Sequence, residues 1–276
     1  MKKSRFTSPN KQSGFTLVEL SIVLVIIGLI VGGVLVGQDL IRAAEVRATV
    51  SQVERFNAAI NTFRGKYGQV PGDITRAAIF GLGTGTDGDG DGLFEDANGA
   101  GSITDASGEV TNFWAHLSHA HLVEGQFDGA QTDAKLFDSF PGTKLNRGGF
   151  TVYGINGFNH FHIGIQNSAT GSATAVTAGV LRPEEAFGID VKLDDGKPTT
   201  GIVLAQGGTA VSDATNGVAM DPTGAAAATP NDTNCVTGSA ITASTATAPF
   251  RATTQGADEY NLANTNLNCQ LRLRAN

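Results

Sequence analysis

Residues 15–36 read FTLVELSIVLVIIGLIVGGVLV. It is an apolar run about as long as the ~20 residues needed to cross the hydrocarbon of a bilayer. Glu19 is the only charge inside it. A lone carboxylate in hydrocarbon costs about 2.5–3.5 kcal/mol on insertion scales, so it marks a functional position and calls for a cation at similar depth. Upstream, Lys2, Lys3, Arg5 and Lys11 form a basic leader with no acid among them. Basic residues on that side keep the leader cytoplasmic and send the C-terminal domain outward. An ordinary signal peptide places its small-residue cleavage site after the apolar run. Gly32-Gly33 is the nearest candidate here, and no Ala-x-Ala pattern follows it. The order is reversed instead: the leader ends at Gly14 and the apolar helix begins at once with Phe15. Cleavage after Gly14 would free the α-amino group of Phe15, about one helical turn from Glu19, and supply the missing cation.

Ser13-Gly14-Phe15-Thr16-Leu17-Val18-Glu19-Leu20, behind a basic leader and ahead of an apolar run, resembles the processing motif of type IV pilins and type II secretion pseudopilins. The resemblance implies that Gly14 is the last leader residue, required by a membrane-embedded prepilin peptidase. It implies that Phe15 is the new, N-methylated terminus. It implies that Glu19 draws each subunit into register through a neighbour's terminal amine. The family usually has a Pro near the end of the apolar run; Val36 stands there, flanked by Gly32, Gly33 and Gly37. That departure puts a melted or kinked segment in doubt and favours a minor pilin or pseudopilin over a major pilin.

Past Gln38 the helix is expected to continue to about Tyr67, about 80 Å from Phe15 at ~1.5 Å per residue. Leu40, Ile41, Ala44, Ala48, Val53, Phe56, Ala59, Ile60 and Phe63 recur on one face, with Arg42, Glu45, Arg47, Gln52, Glu54 and Arg55 on the others. Gly65 and the run Gly68-Gln69-Val70-Pro71-Gly72-Asp73 end it. The Tyr-Gly-x-x-Pro-Gly-Asp pattern from Tyr67 to Asp73 resembles a post-helix segment of pseudopilin-like proteins, and Asp190–Gly196 resembles their late segment. Further helices are predicted at 110–123, with a buried stripe that includes His121, and from Arg182-Pro183-Glu184-Glu185 to Leu193. Strands are predicted at 149–155, 158–165 and 201–205, and Ala/Thr/Gly-rich loops at 166–179 and 206–250. The fold class is therefore α+β. A long N-terminal helix, transmembrane in its first half, packs on a small antiparallel sheet with long loops. The divisions are a leader at 1–14, a membrane or filament-core helix at 15–37, its amphipathic continuation at 38–67 and a periplasmic domain at 68–276.

Composition limits the functional classes. The chain has 276 residues, 36 of them Gly, and a net charge of −7. Of its 19 basic residues four lie in the leader; the remaining 15 face 26 acids, a net of −11. Bulk electrostatics of that sign disfavour nucleic acid as a partner. Cys235 and Cys269 are the only two cysteines. In an exported domain such a pair reads as one disulfide, worth about 3–4 kcal/mol on the chain-entropy account; two separate buried thiols are the alternative.

Asp87-Gly88-Asp89-Gly90-Asp91-Gly92 matches the first half of an EF-hand-type loop. Crowded carboxylates repel, and calcium would relieve them. The acid expected later in the loop is replaced by Asn98, leaving Glu95 or Asp96 to complete a set of Asp87, Asp89, Asp91 and Glu95. The alternative is a solvated acidic turn. His116, His119 and His121, and His160 and His162, follow no zinc spacing and are explained more simply by packing. No Gly-x-Ser-x-Gly elbow or phosphate loop occurs, so the chain does not read as an enzyme. The expected function is a processed structural subunit. It would be anchored by a single pass in the bacterial inner membrane, then assembled with other pilin or pseudopilin subunits by an inner-membrane platform. The rival reading is a membrane-anchored periplasmic protein that binds calcium or another ligand.

Overall fold

The computed structural model describes residues 14–83, 87–94, 108–129, 136–155, 157–166, 176–177, 179–207, 235–237, 259–267 and 269–275. Leader residues 1–13, Glu95, Asp96, Asn98 and most of the 206–250 loop lie outside them. Helix α1 runs unbroken from Leu17 to Tyr67, through Val36 and its flanking glycines. The chain divides into two compact units, Met1–Ala44 and Glu45–Asn276.

In the first unit every residue from Phe15 to Val36 is exposed. This part of α1 is long and apolar enough to cross a membrane. Leu40 and Ile41, expected on the packed stripe, are exposed as well. The buried stripe instead begins at Val46, because only the residues of the second unit have a core to face.

In that second unit Val46, Val50, Val53, Phe56, Ala59, Ile60 and Phe63 are buried. Phe56 is the hub. Its ring meets Trp114 edge-on at 4.8 Å, Phe150 at 5.2 Å and Phe161 at 6.0 Å. It thereby joins α1 to helix α2 (Glu109–His119) and to strands β1 (Gly149–Ile155) and β2 (Phe158–Gln166). Helix α2 stops at His119, short of the predicted 123. His121 is exposed, with φ of 58°, and so does not join the buried stripe. Gln52, expected on a polar face, is buried and donates from Nε2 to Gly142 O at 2.9 Å.

Strands β3 (Val176–Thr177), β4 (Val203–Gly207), β5 (Val236–Thr237), β6 (Glu259–Tyr260) and β7 (Cys269–Arg274) follow. The main sheet is antiparallel, in the order β1-β2-β7-β4, with β3 beside β2; β5 and β6 form a separate pair. Strand β4 lies two residues beyond its predicted span, and β7 has no counterpart among the predicted strands. Helix α3 (Pro183–Leu193) starts as expected, with Pro183 in its first turn. Glu185 Oε2 accepts from Arg182 N at 2.9 Å, and Oε1 pairs with Arg147 at 2.5 Å.

Alternation along β1, β2, β4 and β7 places Phe150, Val152, Phe161, Ile163, Val203, Ala205, Leu271 and Leu273 in the core. The other face carries Thr151, Tyr153, His160, His162, Gln270 and Arg272, and these are buried too. The sheet is therefore covered on both sides, with an apolar face and a polar one. Cys235 and Cys269 are disulfide-bonded, with Cα atoms 5.1 Å apart, which ties the β5–β6 pair to the start of β7.

Candidate functional site

Two regions gather the residues singled out by sequence. The first is the head of α1. Glu19 Oε2 accepts from Thr16 N and from Thr16 Oγ1, both at 2.8 Å, and Thr16 Oγ1 accepts from Glu19 N at 3.3 Å. This is a reciprocal capping box: two of the amides left without partners at a helix start are satisfied at once. The Thr16-x-x-Glu19 spacing signals it in the sequence, yet reading Glu19 only as a charge overlooks it. Gly14 and Phe15 precede the cap, and Phe15 is exposed. The Gly14–Phe15 peptide bond lies just outside the first helical turn, between two exposed residues. The carboxylate that caps this helix is also the single charge on its apolar segment.

The second region is the acidic loop. Its centre is Asp73, from the turn after α1, which lies outside the Asp-Gly run of residues 87–92. Asp73 is buried, and its oxygens accept from Gly90 N at 2.5 Å and Gly92 N at 2.6 Å. Gly90 has φ of 87° and its α-carbon faces Thr75 and Gln69, so a side chain there would be strained and crowded. Asp89 Oδ1 accepts from Asp91 N at 3.0 Å, and Asp91 Oδ1 accepts from Leu93 N at 2.7 Å. Asn159 of the β1–β2 hairpin holds the loop's far end. It accepts from Phe94 N at 3.0 Å and donates to Gly92 O at 2.7 Å.

Asp73, Asp89 and Asp91 each offer a carboxylate oxygen within 4.8 Å of the other two. Asp87 is turned elsewhere, accepting from Ala77 N at 3.0 Å, and Glu95 lies outside the described residues. Burial raises the Asp73 carboxyl above the usual range, against the pull of the Gly90 and Gly92 amides and Glu109; neighbouring Asp91 adds to the rise. A dication would reverse that balance.

A second acidic trio, Asp190, Asp194 and Asp195, closes the end of α3. Its oxygens already accept from protein donors. Asp190 takes Tyr260 Oη at 2.7 Å and Gly196 N at 3.1 Å, while Asp195 takes Thr200 Oγ1 at 2.7 Å and Lys197 N at 2.9 Å. Asp194 takes Val203 N at 3.1 Å and also Ile202 N. These bonds fasten α3 to β4 and β6, which accounts for the acidic run at 190–196 structurally.

His116, His160 and His162 are packing residues. Among the described residues neither acidic trio includes one. His116 Nδ1 accepts from Gly72 N at 2.9 Å, and its ring stacks over Phe63. His162 Nε2 is 3.0 Å from Gln270 Oε1, and His160 stacks on Tyr153.

No curated protein and no solved structure shows significant similarity to the chain. Residues 9–35 match the family described as the prokaryotic N-terminal methylation motif. With its Gly14-Phe15 junction, capped Glu19 and exposed apolar helix, the chain thus carries the processing and methylation signature of type IV pilin and pseudopilin precursors.

Proposed function

We propose that this chain is a structural subunit, trimmed after Gly14 by a prepilin peptidase and assembled through α1 into a type IV pilus or a type II secretion pseudopilus. The observation that carries the reading is the apolar stretch Phe15–Val36, exposed along its whole length and holding one carboxylate. Such a surface needs lipid before assembly and neighbouring helices after it. Gly28, Gly32, Gly33 and Gly37 leave open space beside the helix backbone, which lets another helix approach closely. On this reading residues 1–14 stay cytoplasmic and α1 is the single pass in the inner membrane. The remainder folds in the periplasm, and an inner-membrane platform lifts subunits into the filament. Phe15 supplies the amine that meets Glu19 of a neighbour. The test is processing and incorporation in the native host: Gly14→Ala leaves uncleaved precursor, and Glu19→Ala is processed but enters filaments poorly. Normal incorporation of both variants would refute the reading. A mature protein that retains residues 1–14 would favour the anchored binding protein instead.

One observation favours a second property of the same domain: the Asp73, Asp89 and Asp91 oxygens converge on a loop clamped at both ends. Oxygen ligands of this kind suit calcium, and Asp87 and Glu95 are the further acids of the loop. Calcium is expected to raise the melting temperature of the protein, and Asp89→Ala to abolish that rise. Calorimetry showing no calcium-dependent shift would end the proposal.

A further inference from the structure

Among the described residues, three that are not glycine hold a left-handed backbone: His121 (φ 58°), Phe137 (φ 73°) and Asn146 (φ 55°). All three lie on the connection between α2 and β1, and all three line one open cleft of about 550 Å³. Left-handed backbone at a bulky residue such as Phe137 is costly, and such costs concentrate at functional sites. Phe137 does not recover it by burial: 63% of its surface is exposed. Its ring lies against the α-carbon of Gly142, where any side chain would collide with it. Gly142 O in turn receives the Gln52 amide.

The cleft has two chemistries. Phe56 and Phe127 form an aromatic wall backed by Trp114, whose ring meets theirs at 4.8 and 6.1 Å. Arg55 and Lys144 supply two cations, and neither makes an ion pair among the described residues. The acid on the lining, Glu124, is exposed. An aromatic wall beside two exposed cations, in a volume typical of ligand sites, selects one type of ligand.

We infer that this cleft binds a carboxylate carried next to an aromatic ring, with the ring between Phe137 and the Phe56–Phe127 wall and the carboxylate on Arg55 and Lys144. The same chemistry can come from a free aromatic acid or from an acidic–aromatic segment of a partner chain. Neither source depends on the chain entering a filament.

The chain has a single tryptophan, so Trp114 emission of the full-length protein in detergent micelles reports on the cleft. Three probes are titrated: 3-phenylpropionate, acetyl-Glu-Phe-amide and the neutral 3-phenylpropanamide. A charged probe is expected to give a saturable change with a Kd of about 1–10 mM, as ligands of this size achieve, and the neutral amide to bind at least about tenfold more weakly. Response to phenylpropionate alone assigns a small-molecule ligand; response to the dipeptide assigns a partner segment. The double variant Arg55→Gln/Lys144→Gln is expected to erase the preference for charge. Phe137→Gly is expected to weaken binding about tenfold while leaving the melting temperature unchanged or higher, because glycine relieves the backbone. No saturable change with either charged probe overturns the inference. So does equal affinity for the neutral amide, or full binding by either variant.

Discussion

Glu19 carries two candidate duties that a single alanine variant cannot separate. Its carboxylate closes the capping box with Thr16, and it is the sole charge on the apolar segment. Removing a cap typically costs about 1 kcal/mol of helix stability. Losing the charge removes any attraction to a neighbour's terminal amine, which is far stronger in hydrocarbon than in water. Glu19→Gln keeps an oxygen that can accept from Thr16 and discards the charge. Thr16→Ala breaks the box and keeps the charge. If the charge drives assembly, Glu19→Gln filaments are as depleted as those of Glu19→Ala, while Thr16→Ala assembles nearly normally. Quantifying sheared filaments from the three strains checks this, and depletion in Thr16→Ala with rescue in Glu19→Gln would assign the residue to capping alone.

At the scale of elements, the disulfide does the work that the short strands cannot. Strands β5 and β6 have two residues each, too few to be stable as an isolated pair. The bond from Cys235 to Cys269, 34 residues apart, attaches them to β7, and Leu181 exchanges backbone hydrogen bonds with Cys269 beside it. Closing such a loop is worth about 3–4 kcal/mol. Cys235→Ser/Cys269→Ser is therefore expected to lower the melting temperature by about 10 °C, at roughly 2–4 °C per kcal/mol for a domain this size. Calorimetry of the double variant beside the oxidised parent checks it; equal melting would show that the pair contributes nothing. The same region marks where the sequence stops being legible. Helix α1 and the β1–β2 hairpin could be read because each carries its own period, and α3 because Pro183 and two acids mark its start. Strand β7 could not. Gln270, Arg272 and Arg274 alternate with Leu271 and Leu273, as in a strand with one wet face, yet Gln270 and Arg272 are buried among Tyr153, His160 and His162 on strands over a hundred residues away. The acidic loop shows the same limit. Its Asp-Gly rhythm was visible, but Asp73 joins it only through amides of Gly90 and Gly92, a contact that no local pattern records.

For the molecule as a whole, the buried titratable groups set how folding responds to pH. Burial holds His116 and His162 down to about 4 and His160 to about 3. His119 adds repulsion at His116 against the pull of Asp87, and Arg272 adds repulsion at His160 and His162. Protonating His116 would also place a proton on the nitrogen that accepts from Gly72 N. In the unfolded chain these histidines titrate near 6.5. Between about pH 6.5 and 4 the unfolded state therefore binds up to three more protons than the folded one, and stability falls as pH falls. Asp190 works in the opposite sense. Burial raises it to about 6, against the hydrogen bonds from Tyr260 and Gly196, so between its unfolded value of 3.8 and about 6 the folded state holds the extra proton. Asp73, raised for the same reason, adds to this opposition. The histidines still prevail between pH 6.5 and 5, where each extra proton on the unfolded chain costs about 1.4 kcal/mol per pH unit. The melting temperature is expected to drop on going from pH 7 to pH 5, and His116→Asn, whose Oδ1 can accept from Gly72 N, to flatten the profile by removing one proton from the difference. A melting temperature that holds steady or climbs over that interval would mean that the carboxyls, not the imidazoles, govern the folded state.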